Sequence, residues 1–130
     1  MEEKELAKPR EPLQHALTVV LYGNKYVVKL PTNGHLIDIE ATKARLSGGQ
    51  HYKMLEGGDQ AMQAFLLTEA IATVSVLIPE VRESNKGPLV NLTPIESREI
   101  VQVYMKQLAP WLNRIQEEAN RPLEDAAKAE

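Results

Sequence analysis

No cysteine occurs anywhere in the 130 residues, which removes disulfide staples, thiolate nucleophiles and cysteine-ligated zinc together. That absence fits a reducing compartment. Charge of one sign is not in excess either: the net charge is −3 and the pI is near 5.7. Basic residues stand beside aromatics only at scattered points (Lys25-Tyr26, Tyr52-Lys53, Tyr104 near Lys106). Composition therefore makes no electrostatic case for nucleic acid. The opening stretch MEEKELAKPREP is charged and lacks the apolar core of a secretory signal. It is also too acidic for a transit peptide, so a cytoplasmic location is the expectation. Ser47, Ser75, Ser84 and Ser97 sit in no G-x-S-x-G context, and no G-K-[ST] accompanies the glycine pairs. No internal repeat is visible.

One long apolar run is present, DQAMQAFLLTEAIATVSVLIP at residues 59–79. Its length suits a helix better than a strand. Asp59 is placed as an N-cap after Gly57-Gly58, and Pro79 closes the far end. A helix over residues 61–78 runs about 27 Å, enough to cross a small domain. Because its apolar residues point nearly all round, it is expected inside the fold. A membrane span is the rival. Against it stand Glu69 near the middle, interruptions at Gln63, Thr68, Thr73 and Ser75, and no flanking Lys/Arg cluster.

The rest reads as one α+β domain over residues 15–118, between a flexible arm at 1–14 and a flexible tail at 119–130. ALTVVLY (16–22) and KYVVKL (25–30) flank Gly23-Asn24, which predicts a β-hairpin with Tyr26, Val28 and Leu30 facing inward. After Pro31, Thr32 or Asn33 caps a helix carrying Leu36, Ile39, Thr42 and Leu46, ended by Gly48-Gly49. A short helical turn is predicted over residues 51–56 and a polar connection over 80–92. Thr93-Pro94-Ile95-Glu96 forms a capping box with Pro at N1. Behind it Ile100, Tyr104, Leu108, Trp111 and Ile115 make one apolar stripe. Pro110 interrupts that helix, predicting a kink or break near Ala109. The fold expected is an N-terminal β-hairpin followed by a small bundle of three to four helices around a buried central helix.

Candidate chemistry is sparse. His15, His35 and His51 lie on separate elements with no partner at helical spacing, so surface or capping roles are expected and no metal or cofactor is predicted. Glu69 is the most notable ionisable group. It is expected to meet solvent or to pair with Arg98 or Lys106; fully enclosed, it would serve as an acid or base. Trp111 beside Pro110 is read as a core or groove filler, or as an anchor for another chain.

Several segments together resemble a known family: PTNGHLIDIE (31–40), KARLSGG (43–49), the apolar helix ending SVLIPE (75–80), and VYMKQLAPW (103–111). The chain is similar, over roughly residues 18–113, to tail assembly chaperones of long-tailed bacteriophages. The resemblance implies a non-enzymatic protein of the host cytoplasm that binds the tape-measure protein and keeps it soluble before the tail tube forms. It also implies a homo-oligomer as an option, and no nucleic-acid or membrane partner. Such a chaperone covers apolar helical stretches with a groove or helix face. Tyr104, Leu108, Trp111, Leu112 and Ile115 are the partner-binding candidates. A tail structural or connector protein is the first alternative, and a small acid–base enzyme using Glu69 is the second.

Overall fold

The computed structural model describes residues 12–81 and 87–122. The expected arm and tail fall largely on residues 1–11 and 123–130, outside the described residues. Among the described residues the architecture is α+β: an antiparallel hairpin followed by four helices.

Strands β1 (Ala16–Leu21) and β2 (Asn24–Lys29) pair from Ala16–Lys29 to Leu21–Asn24. The loop is therefore Tyr22-Gly23, one residue earlier than the sequence suggested. Tyr22 (φ 52°) and Gly23 (φ 80°) both adopt the left-handed region that a type I′ turn requires. A left-handed tyrosine is unfavourable by itself, and tertiary contacts hold it there. Its N–H donates to the Glu99 carboxylate, and its hydroxyl donates to the Glu96 carbonyl at 2.5 Å. Tyr26, Val28 and Leu30 turn inward as the alternation predicts.

Helix α1 (Asn33–Ser47) begins at Thr32, whose hydroxyl accepts from the His35 N–H at 3.3 Å. The Thr32 N–H donates back to His35 Nδ1 at 3.0 Å, so His35 plays the capping part expected of a surface histidine. Gly48 (φ 61°) ends the helix. A 3₁₀ turn, His51–Glu56, leads to α2 (Asp59–Leu77). Gly58 is the N-cap and Asp59 the first helical residue, so Asp59 meets the positive helix end as a charge, not as a cap.

Burial of α2 is confined to its second half: Ala70, Ile71, Ala72, Thr73 and Val74 are enclosed, whereas residues 59–69 are exposed or half-buried. By length and composition alone α2 could cross a membrane. In the fold, its second half belongs to a core shared with Val19, Leu21 and Val28 of the hairpin. The connection after α2 is not simply polar, since Val81 and Leu89 are buried at its two ends.

The capping box at Thr93 forms as predicted: Thr93 N–H donates to Glu96 Oε1 at 2.8 Å, and Glu96 N–H to Thr93 Oγ1 at 3.1 Å. Regular helix follows as α3 (Arg98–Val103), a wide π-type segment (Tyr104–Leu108) and α4 (Ala109–Ala119). The expected break at Pro110 is absorbed by that segment. Pro110 has no N–H and its ring would strike the carbonyl four residues back. With one extra residue in the turn, Ala109 N–H reaches the Tyr104 carbonyl and the chain stays helical. Glutamine and tryptophan side chains then staple this run to the hairpin and to the segment just before it. Gln107 donates to the Thr18 carbonyl at 3.2 Å and Trp111 Nε1 to the Gln14 carbonyl at 2.8 Å. Leu13 packs on the core as well, so the end of the predicted arm is part of the domain.

Candidate functional site

Of the concave regions that flank α2, one is polar and another apolar. The polar one has a volume of about 420 Å³ and lies among α1, α2 and α4. At its floor Lys43 bridges two carboxylates. Its ammonium donates to Glu40 Oε2 at 2.7 Å and also pairs with Glu69 Oε2. Glu69 Oε2 lies 3.2 Å from His51 Nε2, and Tyr104 Oη donates weakly to Glu69 Oε1 at 3.5 Å. Tyr52 Oη donates to Glu40 Oε1 at 2.8 Å. The buried His51 ring stacks on Phe65 with centroids 4.3 Å apart.

The electrostatics follow from one cation shared by two anions. Burial works to lower the Lys43 pKa, but hydrogen bonds and charge from Glu40 and Glu69 outweigh it and hold the ammonium above its ordinary range. Burial likewise works to raise Glu40, and the hydrogen bonds from Lys43 and Tyr52 overcome it, leaving that carboxyl below its usual value. Tyr104 is pushed up, first by burial and then by the charge of Glu69. Glu69 thus pairs with Lys43, not with Arg98 or Lys106. His51 joins this cluster instead of taking a surface role. Among the described residues no group of three His, Asp or Glu side chains converges as a metal site.

Lys43 was legible, though missed. It follows Leu36 and Ile39 and precedes Leu46 at spacings of three, four and three, the spacing of the buried face of α1. A lysine on an apolar face needs an anion across the interface. Which anion depends on α2 crossing α1 at Glu69, and no local pattern carries that.

The apolar region is a groove of about 580 Å³ between the first half of α2 and α3. Ala64, Leu66, Leu67, Pro94 and Val101 line it, with Gln60, Gln63, Arg98 and Gln102 at the rim. Leu66 lies in the groove but outside the core cluster, whereas Leu67 and Val101 back onto it.

Of the five partner-binding candidates, Leu108 and Trp111 are 0% and 5% exposed and belong to the protein's own core. They are corrected accordingly: Ile100, Leu108 and Trp111 of the stripe face the core that the last helical run shares with the hairpin. Tyr104, Leu112 and Ile115 line the polar cavity. An apolar groove lies instead along the first half of α2.

Comparison with protein-family models, with curated proteins and with solved structures finds no match. The reading of function consequently stands on the residues and their geometry.

Proposed function

We propose that this protein is a non-enzymatic tail assembly chaperone of a long-tailed bacteriophage, binding its tape-measure protein in the host cytoplasm before the tail tube forms. The observation that carries the reading is the open first half of α2, an apolar groove with a polar rim running along a long helix. An amphipathic helix lays its apolar face into such a groove through anchors at helical spacing. A long helical tape-measure protein offers segments of that kind, which aggregate unless covered. On this reading α2 is a core helix and not a membrane span.

The acid–base alternative has the polar cavity in its favour, but Glu69 Oε2 is already engaged by Lys43 and His51. For a tail structural or connector protein, the same groove would stay occupied in the finished particle.

Co-expression tests the proposal. Tape-measure protein made with this chain should move into the soluble fraction, and purified particles should lack the chain. Ala64→Glu, at an exposed groove position, should abolish that gain while leaving the melting temperature of the chaperone unchanged. No gain in solubility over an unrelated control, or an equal gain with Ala64→Glu, would overturn it.

A further inference from the structure

Among the described residues the hairpin is a two-stranded sheet, so each strand has one outer edge. Which backbone groups face outward follows from the turn. A two-residue loop makes its flanking residues, Leu21 and Asn24, a hydrogen-bonded pair, and antiparallel pairs alternate from there. Val19–Tyr26 and Leu17–Val28 therefore also bond to each other. The parity is confirmed one step further on, where Leu30 N–H donates to the His15 carbonyl at 3.0 Å. Ala16, Thr18 and Val20 on β1, and Lys25, Val27 and Lys29 on β2, must turn their N–H and C=O groups outward.

The two edges are not equivalent. On β1, Gln107 takes the Thr18 carbonyl at 3.2 Å and α3 packs alongside. On β2, among the described residues, no hydrogen bond reaches the outward groups of Lys25, Val27 or Lys29. Their side chains share the exposed face, with Val27 67% exposed between two exposed lysines.

We infer that the outer edge of β2 is a docking edge for an extended segment of another protein, which adds as a third strand and carries an acidic, an apolar and an acidic side chain at alternate positions. The backbone supplies three residues of unpaired donors and acceptors, the arrangement that strand addition uses. Val27 supplies an apolar contact, and Lys25 and Lys29 supply complementary charge at the spacing of side chains on one face. A second copy of this chain fits less well. In the fully overlapping twofold pairing, Val27 meets Val27 while each Lys25 faces a Lys29, and like charges directly opposite are unfavourable. The lysines thus discourage self-pairing, as edge charges do, and leave the edge open to a strand of opposite sign. This surface is separate from the groove on α2, so success or failure here does not decide the chaperone reading.

The test uses the full chain, isotopically labelled, titrated with a short peptide of the pattern Thr-Glu-Thr-Val-Thr-Glu-Thr and with its Lys-for-Glu counterpart. The acidic peptide should shift the amide signals of Lys25, Val27 and Lys29 and slow their hydrogen exchange. The basic peptide should bind about tenfold more weakly, a factor within reach of two exposed cross-strand charge pairs. Val27→Pro deletes an outward N–H without removing a ladder bond, and Pro is tolerated on an edge strand. It should therefore abolish binding in a folded protein. The double variant Lys25→Glu/Lys29→Glu, which leaves the backbone untouched, should reverse the preference between peptides. Absence of shifts at millimolar acidic peptide, equal binding of both peptides, or binding that survives Val27→Pro would overturn the inference. So would self-association in sedimentation that Val27→Pro removes, since a second copy would then be the occupant.

Discussion

Residues 59–69 of α2 hold Met62, Phe65, Leu66 and Leu67, and residues 70–77 hold Ile71, Val74, Val76 and Leu77. Each stretch thus offers four large apolar side chains, yet every buried position of the helix lies in the second. The difference comes from what covers them. Val19, Leu21 and Val28 of the hairpin, Leu89 of the connecting turn, and Ile100 and Val103 of α3 close over the second half. The first half meets the 3₁₀ turn, where Phe65 stacks on His51, packs Leu67 against the edge of the core, and opens into the groove at Ala64 and Leu66. Glu69 stands at the changeover, tied to α1 through Lys43. A uniformly apolar helix can therefore serve as core at one end and as surface at the other, and the surplus surface is what a partner can use.

The contrast can be broken most forcefully from the closed end. Ile71→Ala, in the enclosed half, should cost about 2–5 kcal/mol of stability by urea denaturation, through lost burial and a residual cavity. A loss comparable to that of a surface site would show that the second half is not the core.

At the changeover, Lys43→Met leaves Glu40 and Glu69 facing each other without their shared cation. A destabilisation of about 1–3 kcal/mol is expected. Combining it with Glu69→Gln should restore part of that loss, a non-additivity that a double-mutant cycle reads directly.

The same cluster sets a smaller pH dependence. The raised Lys43 pKa contributes stability that is complete below the ordinary lysine range and fades as pH rises through the raised value. The lowered Glu40 pKa contributes stability present above the ordinary carboxylate range and lost as pH falls through the lowered value. The contributions of Lys43 and Glu40 to the urea midpoint should therefore be constant between these limits. Glu40→Gln should make the acid limb shallower, and an unchanged limb would remove Glu40 from the account.

The smallest effect on stability is expected at the open end. Leu66→Ala should change stability by less than about 1 kcal/mol, as a half-covered residue outside the core cluster. If the chaperone proposal holds, its effect on tape-measure binding should be larger, more than about 1 kcal/mol in a solution binding assay, as for a groove anchor. The reverse ranking would make the groove a packing defect and not a docking surface.

Most features that depend on neighbours within four residues were readable, the cap of α2 at Gly58 and not Asp59 being an exception. The Thr32 cap, the left-handed Gly48, the reciprocal bonds of Thr93 and Glu96, the 3₁₀ turn after Gln50 and the inward set Tyr26, Val28 and Leu30 all follow from local spacing. The hairpin turn slipped by one residue because Tyr22 is held left-handed by Glu96 and Glu99, more than seventy positions away. Pro110 signalled a disturbance, but whether the helix would break or widen was a matter of the contacts at Gln107 and Trp111.

By itself the chain of letters determined an α+β domain with a hairpin, capped helices and one long apolar helix, because turns, caps and periodicity act over a few residues. Tertiary structure alone decided which half of α2 is clothed, that Leu108 and Trp111 face inward, and that Glu69 finds Lys43. A helix apolar on most sides carries no periodic sign of where its cover will end, and an ion pair between two helices depends on how they cross.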